Sequence, residues 1–283
     1  MKKKDKTPLM LKLIRWLFPK LEVVLPWAAH RYFVHIFFSP VRYPVPEKEQ
    51  KALTFASEFT VSAAGQRIQG YMWGDGERYV LLVHGWAGRA TQFRRFVKPL
   101  LAAGYRVVGF DGPAHGRSSG KRTDIREFHE VLIQVYQKFG KPAGIIAHSF
   151  GGSAVLYAAT QGLPVDRLIN ISSPTSGDEI IKTYLRTING SPVTGEYFKK
   201  YVQQKLGKPF DNFTSLYFIK HLPAPVQLLL VHDADDRDVG INQAEMLRQV
   251  FPSAVLFRTE GLGHTRILKD DAVIERCVTF IRQ

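Results

Sequence analysis

From Ala52 to the C-terminus, short apolar runs alternate with longer segments whose apolar residues recur every three or four positions. No other property of the chain constrains its fold as strongly. Short apolar runs suit strands buried on both faces of a sheet, and a 3.6-residue period suits helices that cover such a sheet. Strands are expected at Leu53–Val61, Arg67–Trp73, Tyr79–Val83, Tyr105–Phe110, Ala143–Ala147, Arg167–Ile171, Val226–Val231 and Ala254–Phe257. Between them, Phe93, Phe96, Val97, Leu100 and Leu101 mark one helix, and Gln243–Val250 and Asp270–Arg282 mark two more. The clearest helix spans Asp124–Phe139, where Phe128, Val131, Leu132, Val135, Tyr136 and Phe139 form one stripe and Gly140 and Pro142 stop it. Repetition of strand, helix and strand implies an α/β fold: a mostly parallel central sheet flanked by helices, with right-handed crossovers.

The alternation is suspended from Ser172 to Pro223, far beyond the usual loop of about four to six residues. This stretch reads as a small helical cap inserted after the sixth strand. Ile180, Ile181, Tyr184, Leu185 and Ile188 would form one apolar stripe, and Tyr197, Phe198, Tyr201 and Val202 another. Packing of these stripes on the sheet is favoured over a role in lining a pocket. The expected organisation is thus an arm over residues 1–51, a core over 52–173 and 223–283, and a cap over 174–222.

The arm carries much of the chain's charge. The net charge is +14 over 283 residues, and Lys2, Lys3, Lys4, Lys6, Lys12, Arg15 and Lys20 meet only Asp5 and Glu22. Leu9–Phe38 is rich in Leu, Trp and Phe but is cut by charges too often to span a bilayer, which takes about 20 mostly apolar residues. No clean apolar core of about 7–15 residues follows the basic start, so a signal peptide fits poorly. Two readings stay open: a basic amphipathic helix on an anionic membrane surface, or a helical arm packed on its own domain or a second subunit. Packing is the favoured one, with Pro19 and Pro26 breaking the arm into pieces. Basicity alone also suits nucleic acid, but no nucleic-acid motif or interleaved basic and aromatic pattern accompanies it. The single cysteine, Cys277, cannot form an intramolecular disulfide and suits a reducing, cytoplasmic setting.

Ala147-His148-Ser149-Phe150-Gly151 lies where an apolar strand turns into a helix. So sharp a turn strains the serine backbone and lifts its hydroxyl above the sheet, which requires small residues two before and two after. Ala147 and Gly151 meet that need. A serine hydroxyl is a poor nucleophile at neutral pH and needs a base and a group that orients the base. After the strand at Val226–Val231 comes His232-Asp233-Ala234-Asp235-Asp236-Arg237-Asp238-Val239, and after Ala254–Phe257 comes Gly263-His264. The order is serine, acid, histidine, each at the carboxyl end of an expected strand, where sites in such sheets form. No His-Glu-x-x-His or paired-cysteine spacing points to a metal, and no phosphate-cradling glycine loop points to a nucleotide cofactor.

Together with His84-Gly85-Trp86-Ala87-Gly88 and Asp111-Gly112-Pro113-Ala114-His115-Gly116-Arg117-Ser118, these motifs resemble those of the α/β-hydrolase superfamily, serine esterases and lipases included, from about residue 52 onward. The resemblance implies that Ser149 is the nucleophile, His264 the general base and acid, and the backbone N–H groups of Trp86 and Phe150 the oxyanion hole. The family's usual His-Gly-x-x-Asp-x-x-Val survives here as His232-x-x-x-Asp236-x-x-Val239, with Asp233 in place of the glycine. That spacing selects Asp236 for the triad, with Asp235 and Asp233 as alternatives. His148 is expected to be structural, and His84 and His115 to brace their loops through backbone carbonyls.

These features lead to the expectation of a carboxylesterase-like serine hydrolase that opens a small-molecule ester or thioester through an acyl-enzyme, without a cofactor, a metal or a nucleic-acid partner. Contact with an anionic inner-membrane surface through residues 1–38 is a further expectation. Peptidase, lysophospholipase, acyltransferase and C–C hydrolase activities use the same triad, and a catalytically silent binding protein on this scaffold is the alternative from another class.

Overall fold

The computed structural model describes residues 9–223 and 225–283. Eight strands form one sheet: β1 (Ser57–Ala63), β2 (Gln66–Trp73), β3 (Tyr79–Val83), β4 (Arg106–Phe110), β5 (Gly144–His148), β6 (Arg167–Ile171), β7 (Gln227–Asp233) and β8 (Val255–Thr259). Their spatial order is β1-β2-β4-β3-β5-β6-β7-β8. β2 runs antiparallel to both its neighbours, and every pairing from β4 through β8 is parallel. The expected α/β class and mostly parallel sheet are therefore present.

Among the described residues, twelve α-helices accompany the strands: α1 (Leu9–Val24), α2 (Pro26–Phe37), α3 (Glu47–Leu53), α4 (Arg94–Ala102), α5 (Ile125–Phe139), α6 (Phe150–Thr160), α7 (Gly177–Ile188), α8 (Pro192–Leu206), α9 (Ser215–Ile219), α10 (Asn242–Val250), α11 (Gly263–Arg266) and α12 (Asp271–Arg282). Side chains of a strand alternate between the two faces of its sheet, and β3 divides accordingly. Leu81 and Val83 join a core built with α5 and α6 residues such as Phe128, Val131 and Val155. Val80 and Leu82 join a second core that holds Phe96 and Leu100 of α4 and Ile274 and Phe280 of α12. Both faces of the central strands are thus dry, which is why their sequences are apolar without interruption. The α5 stripe is buried as its period requires, and Asp124 caps the helix by accepting from the Arg126 and Glu127 amides.

The chain divides into two compact units. One joins the described residues up to Phe38 with Gly177–Asn212, and the other joins Ser39–Ser176 with Phe213–Gln283. In the first, the stripes expected over 174–222 find partners within the unit: Ile181, Leu185, Phe198 and Val202 are buried, and Phe37 of α2 packs on Tyr184 and Phe198 at ring separations of 4.5 and 4.2 Å. The inserted segment does not travel as one block, because α9 belongs to the larger unit, where the Ser215 hydroxyl pairs with that of Ser153 on α6 at 2.8 Å.

Two local expectations give way. Pro19 does not break the arm, and α1 continues through it to Val24. Proline lacks the N–H that would bond the carbonyl four residues earlier, so the Arg15 carbonyl should be orphaned. The Asn189 side-chain amide donates to it instead, at 3.3 Å. The strand expected from Leu53 begins only at Ser57, because 47–53 forms α3. That helix is held by Thr91 donating to Glu49 at 2.8 Å and by the Trp73 indole donating to the Ala52 carbonyl at 2.8 Å.

Candidate functional site

The site forms at the carboxyl ends of β5, β7 and β8, all within the larger unit. Ser149 sits between β5 and α6 with φ 53° and ψ −126°, a left-handed conformation costly for a residue with a Cβ. Local bonds hold it there. Its N–H donates to the Ile171 carbonyl at 2.8 Å, and its own carbonyl accepts from the Ser173 hydroxyl at 2.6 Å. The sequence requirement for small neighbours has a direct cause: a Cβ on Gly151 would run into the Val83 carbonyl oxygen, and one on Gly85 would lie 2.7 Å from Cβ of Ser149.

The three residues singled out by sequence meet in space. Ser149 Oγ lies 3.2 Å from His264 Nε2, and His264 Nδ1 lies 2.8 Å from Asp236 Oδ2. Asp236 is buried, and its other oxygen accepts from the Asp238 and Val239 amides at 2.9 Å each. Burial pushes its carboxyl up. The His264 hydrogen bond and charge, with the two amides, more than offset this and hold it below the usual carboxylate range. The carboxylate requires a hydrogen on Nδ1, which leaves the Nε2 lone pair facing the serine hydroxyl. Such a relay can take a proton from a hydroxyl as it attacks a carbonyl.

Asp233 and Asp235 do other work. Asp233 is fully buried and accepts from the Gly263 amide at 2.8 Å, the Leu262 amide at 3.0 Å and the Thr259 hydroxyl at 2.7 Å. Burial raises its carboxyl, but these donors lower it further than burial lifts it. Asp235 accepts from the Gly261 amide at 2.9 Å. Both aspartates therefore anchor the loop that delivers His264. His148 adds a third anchor: its Nε2 donates to the His264 carbonyl at 2.8 Å. Burial, then the His264 charge, pushes the His148 imidazole down to about 3, so it stays neutral.

The Trp86 loop is fixed in the same manner. His84 donates from Nδ1 to the Gly85 carbonyl at 2.7 Å and accepts the Gly112 amide at Nε2, 2.8 Å away. His115 donates to the Pro113 carbonyl at 2.8 Å and accepts the Ala87 amide at 3.0 Å. Burial first holds both imidazoles neutral, His84 at about 4 and His115 at about 3. Asp111, also buried, accepts from the Ala90 and Arg117 amides at 2.9 Å each and so closes the Asp-Gly-Pro loop on this one. The Trp86 ring packs edge-on against Phe150 at 5.3 Å. Trp86 leaves β3 by way of Gly85, beside Ser149, and Phe150 opens α6, where the first amides have no intrahelical acceptor.

Sequence reasoning did not assign the loop-anchoring roles of Asp233, Asp235 and His148. Among the described residues, one group of three places carboxylate and imidazole ligand atoms within 4.8 Å of one another, namely Asp236, Asp238 and His264. Two of its members are already bonded to each other.

Comparison with known proteins places this geometry in context. A family model described as "Alpha/beta hydrolase family" matches residues 80–276. A "probable serine hydrolase" of Drosophila melanogaster is 30% identical over 122 residues, 40% of this chain and 37% of that protein, so the chain spans well under half of that relative. The "uncharacterized hydrolase YugF" of Bacillus subtilis is 25% identical over 259 residues, 76% of this chain and 93% of that protein. Among solved structures, the esterase Pf2001 of Pyrococcus furiosus has a similar fold, with a TM-score of 0.66 at 20% identity over 86% of this chain and 98% of that one. With the family model covering most of the chain and the sheet, the loops and the strained serine turn all in place, the chain belongs to the alpha/beta hydrolase family.

Proposed function

We propose that the chain is a serine hydrolase that cleaves carboxylic esters or thioesters through an acyl-enzyme on Ser149. The observation that carries this reading is the unbroken hydrogen-bonded path from Asp236 through His264 to Ser149, at 2.8 and 3.2 Å. In this reading His264 Nε2 takes the hydroxyl proton while Ser149 Oγ bonds to the substrate carbonyl carbon. The carbonyl π electrons move onto oxygen, and the Trp86 and Phe150 amides donate to that oxyanion. Each such donor is worth about 2.7–4 kcal/mol in comparable sites. The oxyanion collapses, the bond to the alcohol or thiol breaks, and His264 returns its proton to the leaving group. A water deprotonated by His264 then attacks the acyl-enzyme and releases the acid and free Ser149. Asp236 holds the Nδ1–H tautomer and stabilises the transient imidazolium.

Turnover of p-nitrophenyl esters of increasing chain length, run beside thioesters and amino-acid amides, tests the reading. Esters or thioesters should outrun amides, and Ser149→Ala should abolish turnover while leaving the thermal midpoint unchanged or higher, since the hydroxyl is held for chemistry and not for packing. Turnover retained in Ser149→Ala, or a preference for amides, would overturn it.

A further inference from the structure

The first helix turns an apolar face away from its own unit. At about 100° per residue, Leu9, Leu13, Trp16, Leu17, Val23 and Val24 of α1 fall within one arc of about 120°. All are exposed: Leu9 to 84%, Leu13 to 57%, Trp16 to 60% and Val24 to 73%. The opposite face, turned toward α7 and α8, carries the helix's one buried side chain, Phe18, with half-buried Leu11, Ile14 and Leu21 and polar anchors beside it. Arg15 Nε donates to the Thr187 carbonyl at 2.9 Å, and Glu22 accepts from the Ser191 hydroxyl at 2.8 Å and the Thr194 hydroxyl at 2.5 Å. A helix whose only task is to pack buries its apolar stripe and shows its charges. α1 instead exposes a second apolar stripe on its outer face, with its one acid turned inward.

Charge identifies what the exposed stripe meets. Glu22 is the helix's one acidic residue, and it points away from the stripe. Lys12 and Lys20 are exposed on the stripe or its margin, and Lys20 Nζ sits 3.2 Å above the Trp16 ring. In the sequence, Lys2, Lys3, Lys4 and Lys6 precede the helix with a single acid, Asp5. Leucine, valine and tryptophan bordered by lysine suit the boundary between acyl chains and anionic headgroups, where indole and ammonium groups both find partners. The helix has 16 residues, about 24 Å of rise, short of the roughly 30 Å hydrocarbon core, and no helix among the described residues is long and apolar enough to cross a membrane.

We propose that α1 is a docking surface for an anionic lipid bilayer, lying in the plane of the interface with Leu13, Trp16 and Leu17 among the upper acyl carbons and Lys12 and Lys20 at the phosphates. The proposal is independent of the catalytic reading, because none of these residues belongs to the Ser149 site. Flotation of the full chain with vesicles of phosphatidylglycerol and phosphatidylcholine tests it, beside vesicles of phosphatidylcholine alone. Binding should favour the anionic vesicles and weaken as salt rises. The triple variant Leu13→Gln/Trp16→Gln/Leu17→Gln should lose at least about tenfold in partitioning, with an unchanged circular dichroism spectrum. Lys12→Gln/Lys20→Gln, which leaves the apolar stripe intact, should lose about fivefold per lysine. A native chain that stays off anionic vesicles, or a triple variant that binds as the native chain does, would overturn the proposal. So would a dimer dissolved by the triple variant in a chain without vesicle affinity, since the stripe would then serve a second copy.

Discussion

At the end of β7, Asp233 and Asp236 take separate tasks that their chemistry alone does not distinguish. The spacing His232-x-x-x-Asp236-x-x-Val239 made Asp236 legible as the partner of His264. Nothing local revealed the task of Asp233, because its partners Thr259, Leu262 and Gly263 lie 26, 29 and 30 residues away on the β8 side. The two predict different losses. Asp236→Asn keeps an acceptor for the Asp238 and Val239 amides but releases the His264 tautomer, so kcat should fall on the order of ten-thousandfold with little change in the thermal midpoint. Asp233→Asn replaces an oxygen that accepts from buried donors and should cost about 1–3 kcal/mol of stability, read by urea denaturation. Equal effects on kcat and stability from both variants would contradict this division. His148 was legible as structural, but its partner, the backbone of the very histidine it neighbours in space, was not.

Elements with strong periodicity were legible almost to the residue, and those decided by tertiary contact were not. β3 and β6 begin and end where the apolar runs do, and α5 differs by one residue at its cap. Pro19 misled because the cost of proline in a helix is set by what replaces the missing donor, and Asn189 supplies it from 174 residues away. Asn189→Gly keeps the positive φ of 58° yet removes the amide. It should cost about 0.5–1.5 kcal/mol, and Pro19→Ala in the same background should recover most of that by restoring a helical N–H. Denaturation of the single and double variants measures the coupling, and additive effects would show that Asn189 does not compensate for Pro19. α3 was missed for a related reason, since seven residues with little periodicity acquire helical structure from Trp73 and Thr91 elsewhere in the chain.

For the molecule as a whole, the mostly parallel sheet was readable from the alternation of strand and helix, and the spatial order of its strands was not. The division into two compact units was not, because joining residues before Phe38 to Gly177–Asn212 depends on aromatic contacts between distant segments. One global property follows from the loops that brace the site. His84, His115 and His148 are neutral when folded, with values pushed down to about 4, 3 and 3, whereas the unfolded chain takes up protons near the ordinary value of 6.5. A group depressed in this way favours the folded state above the unfolded value and loses that advantage as pH falls toward the folded one. Each should cost about 2 kcal/mol by pH 5. Buried Asp111, whose carboxyl is raised by burial, runs the opposite way. Urea midpoints should therefore drop between pH 7 and pH 5, and a flat profile would contradict three buried neutral imidazoles. The central claim, that the strained Ser149 is the nucleophile, is tested most directly by reacting the native chain with a fluorophosphonate and mapping the adduct by peptide mass spectrometry. The account predicts one stoichiometric adduct on Ser149, absent in His264→Gln; no adduct on the folded chain, or an adduct on another residue, would contradict it.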